Sequence, residues 1–265
     1  MSTTQTAFRY TISNFFHFAK NLVQYPFSRP ARHRLSHSYD ALTYPFSGDR
    51  SVELSQLLKD DNLQVTIAPL KARQHNTTEF ELLSIAGLIK DNRCNKVFEI
   101  GTFDGRTTRA VAMNLQDEQG KVYTLNLPPE SEIVSLETGH VDIELASKVV
   151  SGERFLNTPQ EKYIQQVWGD SAKFDFTPYA GKMDAVFIDG AHSEDYAESD
   201  TKNALKLIKP EGGVIIWHDA HLFGVKHFFK NWLRQNNYPV YFIKGTTVAV
   251  MGMKNGQPYD LLSKN

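Results

Sequence analysis

The sequence has little cysteine and no long hydrophobic run, and these absences exclude several classes of protein. Its 265 residues include one cysteine, Cys94, so an internal disulfide framework is excluded and a reducing, cytoplasmic location is expected. No apolar run approaches the about 18 residues that a membrane-spanning helix needs. The formal net charge is −1, so no excess of basic residues indicates nucleic acid as a partner. The composition, 41% hydrophobic and 22% charged, predicts a globular protein.

Acidic residues are absent from the first 39 residues, which carry five basic ones. Apolar residues recur there at helical spacing, which predicts an amphipathic helix at 6–25, followed by an irregular linker to residue 50. Three interpretations are open for this helix. It packs on the rest of the chain or on a second subunit of a homo-oligomer, it lies on an anionic membrane surface, or it belongs to a transit peptide. The chain therefore divides into residues 1–50 and a domain at 51–265, whose core is about 78–253.

Beyond residue 50, apolar strands alternate with amphipathic helices, which is the pattern of a doubly wound α/β domain with a mostly parallel sheet. The predicted strands are 97–100, 121–127, 163–168, 183–189, 213–219, 240–243 and 247–253. The predicted helices are 51–60, 79–90, 106–116, 141–150, 194–208 and 224–235. The last two strands are joined by a three-residue link, so we expect a hairpin and an antiparallel final strand. Residues 128–162 are polar, and we interpret them as an insertion, either a lid over a cleft or a surface excursion.

The first predicted strand leads into the segment Val97–Thr108, V-F-E-I-G-T-F-D-G-R-T-T. Its pattern is E-x-G-x-x-x-G-x-T, with Glu99, Gly101, Gly105 and Thr107 at the defined positions. Glycines let a backbone approach a ligand closely, and the N–H groups at the start of the following helix favour an anionic group. The segment therefore predicts a nucleotide-type ligand loop that differs from the G-x-G-x-x-G loop of dinucleotide-binding proteins.

Polar residues follow three later strands as well, at the edge where ligands bind in parallel α/β sheets. They are W-G-D-S at Trp168–Ser171, F-I-D-G-A-H at Phe187–His192 and W-H-D at Trp217–Asp219. Together with the glycine loop, these motifs resemble a class I S-adenosylmethionine-dependent methyltransferase. The resemblance is to the bacterial family with a D-G-x-H turn after the fourth strand and an H-D pair after the fifth. It extends from about Thr78 to Met253 and implies a sheet of seven strands.

This resemblance implies S-adenosylmethionine as the cofactor and assigns a part of it to each motif. Glu99 and the glycine loop would hold the amino-acid and ribose portion, and Thr107 would bond its carboxylate. Asp170 would accept a hydrogen bond from the adenine amino group, with Ser171 at the ring edge. The cofactor-binding residues that it implies are Glu99, Gly101, Thr102, Phe103, Gly105, Thr107, Asn126, Asp170, Ser171 and Asp189.

Asn126 departs from the family pattern. The family has an acidic residue near the end of the second strand, where it accepts hydrogen bonds from the ribose hydroxyls. An amide oxygen can accept such a bond, but without charge assistance. Either Asn126 binds the ribose more weakly, or Glu130 reaches into the site. The missing acid also argues against an NAD site.

Four side chains, Asp189, His192, His218 and Asp219, are expected to converge at the carboxyl edge of the sheet. Two mechanisms are open. A divalent cation, such as Mg²⁺, bound by Asp189 and Asp219 would lower the pKa of an acceptor hydroxyl. Alternatively, His192 or His218 is a general base, which suits an imidazole that titrates near neutrality. A third interpretation is that Asp219 only orients a turn.

The sequence therefore predicts a methyltransferase that methylates an oxygen of a small molecule, such as a sugar or a secondary metabolite. One alternative is a non-catalytic or membrane-associated binding module on the same fold, which the Asn126 departure and the basic N-terminal helix favour. The other is a dinucleotide oxidoreductase, which the glycine pattern and the missing ribose acid disfavour.

Overall fold

The structure, a computed structural model, describes residues 50–129, 134–138 and 149–263. The predicted helix at 6–25, the linker as far as residue 49, Glu130 and nearly all of the predicted helix at 141–150 lie outside these residues. Among the helices that are described, none is long and apolar enough to cross a membrane.

The described residues contain nine strands that form one sheet. The strands are β1 (Ser51–Val52), β2 (Lys96–Ile100), β3 (Lys121–Asn126), β4 (Ile164–Trp168), β5 (Ala185–Ile188), β6 (Gly213–Trp217), β7 (Tyr241–Ile243), β8 (Ala249–Lys254) and β9 (Gln257–Tyr259). Their order is β1-β7-β8-β6-β5-β2-β3-β4, and β9 pairs with β8. The central strands are parallel, whereas β8 is antiparallel to β6, β7 and β9. The predicted antiparallel strand near the C-terminus is therefore confirmed.

Five α-helices accompany this sheet in the described part of the chain. They are α1 (Leu54–Leu57), α2 (Glu79–Asp91), α3 (Arg106–Met113), α4 (Glu194–Leu207) and α5 (Phe223–Asn236). The predicted capping box opens α2, because the Thr78 hydroxyl accepts from the Glu81 N–H and the Glu81 carboxylate accepts from the Thr78 N–H. The Ser193 hydroxyl caps α4 in the same position.

Helices cover both faces of the sheet, as parallel strands require. Adjacent residues of β2 belong to different hydrophobic clusters, Val97 to one and Phe98 to the other, because side chains alternate between the faces of a strand. The cluster around Phe98 includes residues of α4 and α5, and the cluster around Val97 includes residues of α2 and α3. This is the doubly wound arrangement that the sequence predicts.

Two short strands at the margins of the sheet were not predicted. The predicted helix at 51–60 is in fact β1 followed by the four-residue α1, and β1 pairs in parallel with β7, about 190 residues further along the chain. A two-residue strand has no periodicity that a sequence pattern can show, and its pairing depends on the tertiary fold. The strand β9 likewise extends the predicted hairpin by pairing with β8.

Candidate active site

The ends of the central strands are in register, so the residues that follow them meet at one edge of the sheet. Ile100 of β2 pairs with Leu125 of β3 and with Ile188 of β5. The residues just after β5 and β6 continue this pattern. The Asp189 N–H donates to the backbone carbonyl of Ile100, and the His218 N–H donates to that of Ile188. The glycine loop, the D-G-A-H turn and the H-D pair are thereby neighbours, as the sequence predicts.

Glu99 lies beneath the glycine loop and is almost completely buried. Its Oε2 accepts hydrogen bonds from the hydroxyl of Thr124, at 2.5 Å, and from the hydroxyl of Thr108. The Thr124 hydroxyl also lies 2.6 Å from that of Thr102. Burial raises the pKa of Glu99 to about 8, although the two hydroxyl hydrogen bonds act in the opposite direction.

The two glycines of the loop are required by the protein itself. Gly101 has φ +97°, and a Cβ atom there would lie 2.0 Å from the carbonyl oxygen of Asp189. Gly105 has φ +81°, caps α3, and would place a Cβ 2.6 Å from the ring of Phe155. Only a residue without a side chain fits these backbone conformations and contacts. Gly101 therefore allows the glycine loop to touch the end of β5.

A buried arginine anchors an irregular segment, residues 66–77, which we call the strap. The Arg106 guanidinium donates to the backbone carbonyls of Pro69, Leu70 and Thr77 at 2.9, 2.7 and 2.6 Å. Burial lowers the pKa of Arg106, although Glu79 opposes this effect. Sequence reasoning missed this role, because the acceptors are backbone atoms of a segment without a periodic pattern.

The described end of the insertion predicted at 128–162 also packs on the glycine loop. The Gly152 N–H donates to the backbone carbonyl of Phe103, and the Arg154 N–H donates to the backbone carbonyl of Asp104. The Arg154 side chain also reaches the buried Asp104 carboxylate at 2.6 Å. The described end of the insertion therefore covers the loop and the first turn of α3.

The remaining predicted residues of the loop make contacts within the protein. The Thr107 hydroxyl lies 3.3 Å from the hydroxyl of Thr77 in the strap. The Asn126 amide oxygen accepts from the Thr102 N–H at 3.3 Å, and Phe103 has a left-handed backbone with φ +48°. Asn126 thus lies against the loop, and its role toward a ribose stays a prediction.

Asp170 follows β4 and is surrounded by donors. It accepts from the N–H groups of Ser135 and Ala172 and from the hydroxyl of Tyr196, at 2.7 to 2.9 Å. Burial raises the pKa of Asp170, but these hydrogen bonds have the larger combined effect and leave the pKa below its ordinary value. The carbonyl of Ser171 accepts from Asn203 at 3.5 Å. The predicted contact of Asp170 and Ser171 with adenine stays a prediction.

His218 is the centre of the acidic cluster and is buried. Its Nδ1 lies 3.0 Å from Asp189 Oδ1 and 3.4 Å from Asp219 Oδ2. Its Nε2 lies 3.4 Å from Oε2 of Glu81. Burial lowers the pKa of His218, but the Asp219 and Asp189 carboxylates raise it by more than burial lowers it. The pKa of His218 therefore lies well above its ordinary value.

Asp219 connects the two predicted catalytic histidines. Its Oδ2 lies 3.1 Å from Nε2 of His192 and 3.4 Å from Nδ1 of His218, and its backbone is left-handed with φ +50°. Burial raises the pKa of Asp219, but the facing imidazoles lower it well below the ordinary value. His221 is also close, with Nδ1 3.7 Å from Asp219 Oδ1, and its pKa is lowered by burial.

Glu81 of α2 also belongs to the cluster, although sequence reasoning assigned it only to the capping box. Its Oε1 accepts from the N–H and the hydroxyl of Thr247 at 2.8 and 2.7 Å. Burial raises the pKa of Glu81, but His218 lowers it, so that the net pKa lies far below the ordinary value. A glutamate at the third position of a helix is a normal cap, so no separate signal in the sequence indicates this contact.

Three members of the cluster have the composition of a site for a divalent cation. Asp189, His218 and Asp219 each offer one ligand atom, and these atoms all lie within 4.8 Å of one another. Carboxylate oxygens and an imidazole nitrogen suit several divalent metals. The same atoms also contact one another, since His218 Nδ1 lies 3.0 Å from Asp189 Oδ1. The residues therefore fit a cation, and they also form a connected polar network without one.

Comparison with known protein families finds a match in the part of the chain that contains the glycine loop and most of the acidic cluster. The sequence model of a family described as a methyltransferase domain matches residues 98–220, from β2 to just beyond the H-D pair. The match contains the glycine loop and the motifs that follow β4, β5 and β6. Residues 98–220 therefore match a methyltransferase domain, as the motifs predict.

Solved structures of methyltransferases resemble the chain at low sequence identity. An O-methyltransferase from Bacillus cereus in complex with SAH is 18% identical, with a TM-score of 0.48 over 69% of this chain and 84% of that one. An O-methyltransferase of tomaymycin synthesis from Streptomyces achromogenes, in complex with SAM, is 20% identical, with a TM-score of 0.46 over 68% and 81%. An SAH-bound methyltransferase from Podospora anserina is 14% identical, with a TM-score of 0.48 over 68% and 79%. Among curated proteins, no sequence matches this chain.

Proposed function

We propose that the protein transfers the methyl group of S-adenosylmethionine to a hydroxyl oxygen of a small molecule, such as a sugar or a secondary metabolite. The observation that carries this proposal is the cluster of Asp189, His192, His218 and Asp219 beside the glycine loop. A hydroxyl must lose its proton when it is methylated, and the cluster supplies groups that can accept or stabilise that proton.

In this proposal the glycine loop holds the cofactor. Glu99 and the N–H groups at the start of α3 bind the amino-acid portion of S-adenosylmethionine, and Thr107 bonds its carboxylate. Asn126 contacts the ribose, while Asp170 and Ser171 contact the adenine. The contact between Gly101 and Asp189 supports this arrangement, because it brings the loop and the acidic cluster together.

Of the two histidines, His192 is the better general base. A base must be unprotonated at neutral pH, and the raised pKa of His218 means that it already holds its proton. His192 contacts the Asp219 carboxylate at 3.1 Å, which would orient its ring and stabilise the imidazolium that forms. His218 then holds the Asp189 and Asp219 carboxylates in place.

A cation is the second chemical route at the same site. Asp189, His218 and Asp219 would hold it, and when bound it would lower the pKa of an acceptor hydroxyl. In that case the aspartates and His218 orient the acceptor, and His192 beside Asp219 receives the proton.

The test is transfer of label from methyl-labelled S-adenosylmethionine to a panel of catechols and sugars. We expect Asp219→Asn to lower kcat by about 100-fold or more, because it removes the charge that faces both histidines. Asparagine tolerates the left-handed backbone at this position, so the fold should persist. The matched control, Asp195→Asn, changes an exposed acid in the first turn of α4 and should retain full activity.

Three further outcomes separate the alternatives. Loss of turnover in excess chelator, with recovery on adding Mg²⁺ or Mn²⁺, supports the cation route, whereas unaffected turnover supports His192 alone. Calorimetric binding of S-adenosylmethionine without transfer to any acceptor favours a binding module. Binding of NAD instead would contradict the proposal and favour the oxidoreductase alternative.

A further inference from the structure

Glu81 has more contacts than a helix cap needs. A glutamate that closes a capping box lies at the first turn of a helix and is usually exposed, but Glu81 is only 4% exposed. Its two oxygens contact three parts of the chain: the Thr78 N–H in its own helix, Thr247 before β8, and His218 after β6. The carboxylate therefore connects α2 to the carboxyl edge of the sheet.

The contact with His218 lies on the side of the ring that faces away from the aspartates. Glu81 Oε2 lies 3.4 Å from Nε2, a nitrogen that is buried and has no well-aligned hydrogen bond among the described residues. The opposite nitrogen, Nδ1, faces Asp189 and Asp219. Thr247 fixes Glu81 Oε1 with two hydrogen bonds, so the carboxylate cannot turn away from the ring without losing them.

We propose that Glu81 is a positioning residue for methyl transfer, which orients His218 so that Nδ1 faces Asp189 and Asp219. This role rests on the proposed function of the cluster. A carboxylate beside one ring nitrogen of a histidine favours a hydrogen on that nitrogen and sets the direction of the other. The same orientation serves both chemical routes, because Nδ1 would contact either the two carboxylates or a cation that they hold.

The decisive variant is Glu81→Gln, which keeps the shape of the side chain and an oxygen for Thr247 but removes the charge. Its matched control is Thr78→Ala, which breaks the other half of the same capping box and leaves the contact with His218 intact. Far-UV circular dichroism and thermal melting establish that both variants are folded. An effect of the capping box alone would appear in both variants, whereas an effect of the contact with His218 would appear only in Glu81→Gln.

The first readout is the nitrogen NMR spectrum of protein labelled in its histidine rings. In the wild-type protein and in Thr78→Ala we expect Nε2 of His218 to carry a hydrogen that faces Glu81, and in Glu81→Gln we expect the ring signals, including that of Nδ1 beside Asp189 and Asp219, to shift. A wild-type protein without that hydrogen, or a Glu81→Gln variant with an unchanged His218 spectrum, would overturn the proposal. Because this measurement needs no methyl acceptor, it decides the orientation of His218 even if no transfer is found, a result that would contradict the proposed function instead.

The second readout is kinetic and uses the catechol or sugar that the wild-type protein methylates. Removal of a group that orients a working side chain typically costs 10-fold to 100-fold in activity. We therefore expect Glu81→Gln to lower kcat by at least about tenfold while KM for S-adenosylmethionine is unchanged, and Thr78→Ala to stay within about twofold of the wild type. Equal kcat values in the two variants would show that Glu81 acts only as a helix cap.

Discussion

The proposed site has two halves, a cofactor half around the glycine loop and an acceptor half around His218. Each half contains a buried glutamate, and the two environments shift the pKa of these glutamates in opposite directions. Glu99, in the cofactor half, is 2% exposed and faces the neutral hydroxyls of Thr108 and Thr124, so burial raises its pKa to about 8. Glu81, in the acceptor half, is 4% exposed but faces His218, and its pKa lies far below the ordinary value. Burial is therefore not enough to decide the charge of an acid. The strength of the opposing partner decides it: the two hydroxyl hydrogen bonds lower the pKa of Glu99 too little to offset burial, whereas the facing imidazole lowers that of Glu81 enough to favour a carboxylate.

This difference suits the two tasks proposed for the site. A cofactor half made of hydroxyls, backbone N–H groups and a glutamate with a raised pKa can receive a cationic ligand without having to give up an internal ion pair. An acceptor half made of linked carboxylates and imidazoles holds charges of both signs close together, which is what proton transfer needs.

A substitution at Gly101, where the glycine loop contacts the end of β5, should have the largest effect on stability and cofactor binding. Gly101→Ala combines a left-handed backbone, φ +97°, with a Cβ only 2.0 Å from the Asp189 carbonyl oxygen. We expect it to lower the free energy of unfolding by more than about 3 kcal/mol and to abolish binding of S-adenosylmethionine, measured by denaturant unfolding and calorimetry.

Gly181→Ala is the matched control for this change. Gly181 has φ +66°, and a Cβ there would meet nothing within 4 Å, so the substitution carries the backbone cost alone, about 1 kcal/mol. Equal losses of stability in the two variants would contradict the close contact between the glycine loop and β5.

A substitution of Arg106, which anchors the strap, tests the cofactor half separately from the acceptor half. Arg106→Met removes the guanidinium and leaves the carbonyls of Pro69, Leu70 and Thr77 without their donor. Unsatisfied buried groups cost about 1–3 kcal/mol each, partly relieved if the strap opens to water. We expect a stability loss of about 3 kcal/mol, faster proteolysis within residues 66–77 and weaker binding of S-adenosylmethionine.

The control for this variant is Arg73→Met, which changes an arginine of the same strap. Its side chain is 54% exposed and pairs with the partly buried Glu153, and its guanidinium also lies 4.0 Å from the buried Asp104. A surface ion pair contributes about 0–1 kcal/mol, so little should change. Arg106→Met with intact binding of S-adenosylmethionine would show that the strap does not support the cofactor half.

The sequence predicted those features of the site that are encoded within short segments. The strands, the glycine loop and the residues after each strand follow from local periodicity and composition, and the parallel order brings them to one edge. The partners that set their properties come from elsewhere in the chain. Glu81 lies 137 residues before His218, and the acceptors of Arg106 are backbone atoms, so no pattern of residue types could indicate either contact.

The pH dependence of stability should separate the two glutamates. The pKa of Glu99 rises from 4.5 to about 8 on folding, so the folded protein binds this proton more tightly than the unfolded chain. The resulting stabilisation is fully present below pH 4.5 and is lost as the pH rises through about 8, with a slope of at most about 1.4 kcal/mol per pH unit. Glu99→Gln can still accept from both hydroxyls but cannot ionise, so its stability should fall less than that of the wild type between pH 5 and 8.

Glu81→Gln should differ from the wild type on the acid side instead. A depressed pKa gives stability that is present above pH 4.5 and lost as the pH falls, so the stability of Glu81→Gln should fall less than that of the wild type below pH 4.5. Urea unfolding from pH 2 to 9 measures both differences. A Glu99→Gln curve parallel to that of the wild type between pH 5 and 8 would show that Glu99 ionises like an ordinary exposed glutamate.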